Sequence, residues 1–87
     1  MSLMKAALIV TSMTHPHVWT TDITPVESMT ECSTLRVAVA SSLAPIEEFQ
    51  IAEDGTFYTP EWVTKNISGF KKSVLFELKC KPVGKQD

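Results

Sequence analysis

The sequence predicts an α+β fold, a two-layer sandwich in which one main helix lies on an antiparallel sheet. Three observations predict it. A nearly continuous apolar run, Leu8-Ile9-Val10, is followed past a proline by Val18-Trp19-Thr20-Thr21-Asp22-Ile23, rich in β-branched and aromatic residues. A capped segment of helical period follows Thr24-Pro25. Near the C-terminal end Val74, Phe76, Leu78 and Cys80 alternate with charged residues, the period-two pattern of a strand with one buried face. The expected order is β-β-α-β-β-(α)-β, in a single domain spanning residues 1–87.

Each element has a local reason. The first strand is placed over Leu3 to Met13, in the middle of the sheet or covered on both faces, because its apolar run scarcely alternates. Thr14 to His17 make a hairpin connection, since Pro16 cannot donate to a ladder. Thr24 can cap a helix, Pro25 suits its first position and Glu27 completes a capping box, so the helix is expected from Pro25 to about Ser42, stopped by Pro45. Its apolar arc would hold Val26, Met29, Cys32, Val37, Val39, Ala40 and Leu43. Short strands over Phe49–Ala52 and Thr56–Thr59 flank Asp54-Gly55, a dipeptide suited to a two-residue type I′ turn. A short helix is expected from Thr59-Pro60 through Trp62 to Ile67, ended by Gly69, and the last strand covers Ser73 to Lys81.

Composition narrows the function classes. A net charge of −2 and a pI near 5.6 disfavour both a generally basic nucleic-acid binder and an acidic mimic of nucleic acid. No stretch approaches the roughly 18 apolar residues of a membrane span. The run Ala6 to Val10 is too short for a secretory signal, and Ser12-Met13-Thr14 is a poor cleavage site, so a cytoplasmic location is expected. Three glycines, Gly55, Gly69 and Gly84, cannot build a phosphate loop. No Ser-His-Asp order, HExxH or carboxylate pair argues for catalysis, and no catalytic residue, metal or cofactor is assigned.

Several residues invite a chemical reading. Cys32 on the helix and Cys80 on the last strand can meet as a disulfide, closing the chain from residue 32 to residue 80 for about 4 kcal/mol in the chain-entropy model. With no export signal, two small buried thiols in a reducing cytoplasm are the preferred reading and the bridge is the alternative. His15 and His17 flank a turn proline and supply too few ligands for a metal site. Arg36 falls in the apolar arc of the helix, where it must snorkel, pair with Asp22 or Glu77, or meet an anion. Glu47, Glu48, Glu53, Asp54 and Glu61 precede a lysine-rich segment of Lys65, Lys71, Lys72, Lys79, Lys81 and Lys85. Lysines with Phe57, Tyr58, Trp62 and Phe70 nearby could track single-stranded nucleic acid, but an ordinary solvated strand face explains them better. An acidic hairpin beside a basic strand also suits self-association.

The stretch Glu27-Ser28-Met29-Thr30-Glu31-Cys32 and the closing Cys80-Lys81-Pro82 resemble a loose class of small, mostly uncharacterised proteins of phages and proteobacteria. The resemblance covers about two-thirds of the chain, and Phe49 to Phe70 departs from it as an insertion would. It implies the fold and a Cys32–Cys80 pairing, and nothing about a substrate.

The leading expectation is a small non-enzymatic protein-interaction module, homo-oligomeric and phage-encoded, meeting an unknown protein partner through Trp19, Phe57, Tyr58 and Trp62. The first alternative is a small enzyme or anion-binding protein with a site at a subunit interface around Arg36, joined by His15, His17 or Tyr58. Single-stranded nucleic-acid binding along Lys71 to Lys81 is the second.

Overall fold

The computed structural model describes residues 5–15 and 17–83. Within them the elements are β1 (Ala6–Thr14), β2 (Val18–Val26), α1 (Met29–Leu43), a 3-10 turn (Ile46–Glu48), β3 (Gln50–Ile51), β4 (Phe57–Tyr58), β5 (Val63–Ile67) and β6 (Phe70–Pro82). All six strands belong to one antiparallel sheet in the order β2-β1-β6-β4-β3, with β5 also paired to β6. The helix packs on one face of that sheet.

β1 owes its continuous apolar run to its central place. It pairs along its whole length with β2 on one side, Ala6 opposite Val26 and Thr14 opposite Val18, and with β6 on the other, Ala6 opposite Pro82 and Thr14 opposite Val74. The expected positions Leu3 and Met4 lie outside the described residues. With 13 residues at about 3.3 Å each, β6 spans roughly 43 Å and sets the long dimension of a 49 × 23 × 19 Å molecule.

The core forms between α1 and one face of the central strands: Ala6 and Leu8 of β1, Val74, Phe76 and Leu78 of β6, Phe57 of β4, and Cys32 and Ala40 of the helix. Leu35, Val39 and Leu43 pack against them. With Arg36, these helix positions follow the i, i+3, i+4, i+7, i+8, i+11 spacing of a single stripe. The predicted arc is corrected at two places. Val37 and Met29 point away, 47% and 37% exposed, while Leu35 takes the inward position.

The helix begins four residues later than expected. Thr24, Pro25 and Val26 belong to β2, held there by pairing with β1. Ser28 is the N-cap: the Glu31 N–H donates to Ser28 Oγ (3.1 Å) and the Glu27 N–H donates to Glu31 Oε1 (2.9 Å). Two consecutive Ser/Thr-x-x-Glu boxes therefore compete in this stretch, and sheet pairing selects the second. At the other end the Ala44 N–H closes the helix on the Ala40 carbonyl (3.1 Å). No basic residue stands in its last turn. Lys65 of β5 supplies the charge instead, its Nζ donating to the Leu43 carbonyl oxygen. Lys65→Met keeps the aliphatic stem and removes that ammonium, so it should cost about 0.5–1 kcal/mol. Urea titration of the two proteins checks this, and an unchanged midpoint would contradict the cap.

The segment from Asp54 to Phe70 differs most from expectation. Gly55 has φ +90° whereas Asp54 keeps negative φ, so the turn is not type I′. The Gly55 N–H donates to the Ala52 carbonyl (2.9 Å) and the Ala52 N–H to the Thr56 carbonyl (2.9 Å), the pattern of a longer loop ending on a left-handed glycine. Asp54 Oδ1 accepts the Thr56 N–H (2.9 Å). That bond holds the Asp54 carboxyl below its ordinary value of 3.8. A depressed carboxylate stabilises the fold above its unfolded value and loses that contribution as pH falls through the lower folded one. Hairpin stability should therefore weaken below about pH 4 in the wild type and show less of this acid dependence in Asp54→Asn, read from amide exchange at Thr56.

The predicted second helix is a strand. β5 pairs with β6, Val63 opposite Val74 and Ile67 opposite Phe70, through a turn at Ser68 and Gly69 with φ +54° and +84°. Its β-branched Val63, Thr64 and Ile67 suit that role. β4 and β5 lie on the same edge of β6, and Thr59 to Trp62 form a bulge between them. Pro60 has no N–H for the ladder, and Thr59 covers the gap. Its N–H donates to the Phe76 carbonyl (3.0 Å), and its Oγ1 accepts the Phe76 N–H (2.9 Å).

Candidate functional site

The face of the sheet away from α1 has no element over it among the described residues. Strand alternation assigns its side chains, and the registers arrange them in rows. Met13 stands between Trp19 and Leu75, Thr11 between Thr21 and Glu77, Ile9 between Ile23 and Lys79, and Ala7 between Pro25 and Lys81. Trp19 and Ile23 are 63% and 64% exposed, while Ile9, Met13 and Leu75 are half-buried. A shallow depression bounded by Thr11, Trp19, Thr59, Leu75 and Glu77 opens beside the tryptophan. Apolar side chains thus cluster toward β2, and the lysines lie at the β6 side.

β2 forms one rim of this face and, among the described residues, has no neighbour on its outer edge. The rim is exposed along its length except at Val26 and contains no lysine, arginine or glycine. The opposite rim is made of β3, only two residues long, and β5, five residues that include Lys65. Short strands, edge charges, above all lysine, and edge prolines protect against pairing with another chain; β2 is neither short nor lysine-bearing, and its only such residues are Asp22 and Pro25.

The four expected contact residues do not share a surface. Trp19 lies on the open face. Tyr58, opposite Glu77, lies there too and donates its hydroxyl to Gln50 Oε1 (3.2 Å). Phe57 is a correction: it is 8% exposed and belongs to the core, packed near Phe49 with ring centroids 6.4 Å apart. Trp62 is 43% exposed and meets the His15 ring edge-on at 5.5 Å, at the end of the β1–β2 hairpin.

The anion-site residues are not brought together within one chain either. Arg36 sits on the helix side of the sheet, its Cζ 4.7 Å from the centroid of the Phe57 ring, with its guanidinium against Gly55. Tyr58 faces the other side, His15 is held by Trp62, and His17 is exposed in the hairpin turn. Glu77 also points to the open face, so it cannot reach Arg36 across the sheet; Asp22 is exposed on the rim. The Arg36 Nε is buried with no hydrogen-bond partner. Stacking on an aromatic ring contributes about 0.5–1 kcal/mol or more, and a buried unsatisfied donor costs about 1–3 kcal/mol. Arg36→Met retains the stem and removes both effects, so its melting temperature should be unchanged or higher. A large fall would point to a structural partner for the guanidinium.

The structure does bring Cys32 and Cys80 together, as a disulfide with Cα atoms 6.0 Å apart. Cys32 is fully buried on the helix, and Cys80 lies opposite Leu8 of β1, so the bridge ties helix to sheet at the centre of the core. Among the described residues no cluster of three or more His, Cys, Asp or Glu side chains could hold a metal ion. None of the described helices is long and apolar enough to cross a membrane. Of the lysine strip, Lys71, Lys79 and Lys81 share the open face, Lys72 alternates to the other, Leu75 and Glu77 interrupt the row, and Lys85 lies outside the described residues. No protein-family model, curated protein or solved structure matches the chain.

Proposed function

We propose that this chain is a small non-enzymatic protein-interaction module that self-associates and contacts its partner through the open face of the sheet. One observation carries the reading: Trp19 and Ile23, both nearly two-thirds exposed, stand beside Ile9, Met13 and Leu75 on a face that no element covers among the described residues. The Trp19-Met13-Leu75 and Ile23-Ile9 rows lie on either side of Thr21, Thr11 and Glu77; exposed apolar surface bordered by polar residues marks contact sites, and exposed tryptophan is a frequent hot spot. The phage origin suggested by the resemblance belongs to the same proposal. A persistent Cys32–Cys80 bridge needs an oxidising compartment, which weighs against the expected cytoplasmic location.

The experiment is site-specific photocrosslinking in the expressing cell, with benzoylphenylalanine placed at Trp19 or, as a control, at exposed Val37 on the outer side of the helix. The reading expects discrete protein adducts from position 19 and none above background from position 37. Equal labelling at the two positions would contradict it.

A second reading rests on the unpartnered Arg36 Nε, which an anion or a neighbouring subunit's carboxylate would satisfy. It requires that phosphate raise the melting temperature of the wild type and not that of Arg36→Ala. Single-stranded nucleic-acid binding has less support, because Phe57 is buried and Glu77 breaks the lysine row.

A further inference from the structure

We infer that two copies of this chain pair edge to edge through β2, antiparallel, about a twofold axis at Thr21. The inference rests on the self-association in the proposed function and specifies its geometry. β2 offers nine residues of rim without lysine, and its bulge-free pairing to β1 keeps that rim regular. Such an edge is a template for another strand.

Symmetry limits the choices. A closed pair of antiparallel strands needs a twofold axis perpendicular to the sheet, which places one residue opposite its own copy and keeps both open faces on the same side. Centring on Thr20 leaves only Val18 to Asp22 in the overlap, because the hairpin turn ends the strand at Val18. Centring on Asp22 sets two carboxylates directly opposite each other, which is destabilising. An axis at Ile23 draws Pro25 into the ladder opposite Thr21, and proline has no N–H to give.

Centring on Thr21 avoids all three faults. Residues 18 to 24 overlap, and Pro25 falls just beyond, where it stops the pairing. Trp19 then lies opposite Ile23 of the second copy, Thr20 opposite its Asp22, and Thr21 opposite its Thr21. These are aromatic with β-branched, hydroxyl with carboxylate, and threonine with threonine, each a favourable cross-strand pair.

The registers extend these pairs into rows across both sheets. Leu75, Met13 and Trp19 of one copy continue into Ile23 and Ile9 of the other, and the symmetry repeats the row. The two most exposed apolar residues of the open face, Trp19 and Ile23, thereby cover one another. The two helices lie on the same side of one continuous sheet.

Thr21→Cys, Ile23→Cys and Thr21→Lys test the pairing. In unreduced protein the native cysteines are bridged and inert to maleimides, so an introduced thiol is the sole target. A bis-maleimide about 8 Å long should link two Thr21→Cys chains and fail with Ile23→Cys, whose thiols would lie about 14 Å apart from strand spacing and rise. Sedimentation should find a wild-type dimer and a Thr21→Lys monomer with unchanged circular dichroism, since lysine would oppose lysine at an exposed position. Better linkage through Ile23→Cys would overturn the register. A dimer that survives Thr21→Lys would overturn β2 pairing and leave the interaction reading standing. A wild-type monomer would overturn the pairing, and combined with no adducts from position 19 it would remove the interaction reading as well.

Discussion

Reducing the Cys32–Cys80 bridge is expected to lower stability by about 4 kcal/mol, from the chain entropy of the loop it closes. The bridged residues are 48 positions apart, so more than half of this 87-residue chain is constrained by one bond. A domain of this size has a total stability of only about 4–13 kcal/mol. Loss of the bridge should therefore lower the melting temperature by on the order of 20 °C. Thermal melts with and without a reductant measure it, and the Cys32→Ala/Cys80→Ala double variant should behave as the reduced wild type or worse. A shift of only a few degrees would mean that helix–sheet packing holds without the covalent tie.

Leu78→Ala should be the most damaging single truncation on the sheet, costing about 3 kcal/mol through lost transfer energy and the cavity left behind. Leu78 is fully buried in β6, with Val10 of β1 on one side and Phe57 of β4 on the other. It therefore joins the long β1–β6 ladder to the short strands beyond. Ile51→Ala on the far rim, where the side chain is 66% exposed, should change stability by no more than about 0.5 kcal/mol. Guanidinium titrations of both variants separate the two. Equal effects would place the core elsewhere.

Legibility in the sequence follows how local each signal is. The β1–β2 hairpin, the helix and the inward alternation of β6 depend on periodicity within one segment, and Val74, Phe76 and Leu78 take the buried positions that alternation assigns. The helix start was not decidable locally, because Thr24 and Ser28 each begin a capping box and the choice depends on how far β2 pairs with β1. The bulge at Thr59–Trp62 arises from two short strands sharing the edge of β6, a nonlocal arrangement that the segment's own proline and aromatic residues do not reveal.

The candidate surface was legible in part for the same reason. Trp19 reads as a contact residue from type alone, but Phe57 and Tyr58 are adjacent aromatics on one strand, and alternation forces them to opposite faces without saying which faces the helix. The bare rim was hidden altogether. Whether β2 is central or outermost depends on β6 returning to the other side of β1, a pairing between residues roughly 70 positions apart in sequence. The Trp19, Thr21 and Ile23 pattern acquires its meaning only once that outer position is known.

Native mass spectrometry of freshly purified, unreduced protein reads both the self-association of the chain and its Cys32–Cys80 bridge in one spectrum. The expected particle has twice the 9.6 kDa chain mass, each chain lighter by the two protons lost in forming Cys32–Cys80. A monomer at every concentration examined, with both thiols intact, would contradict it.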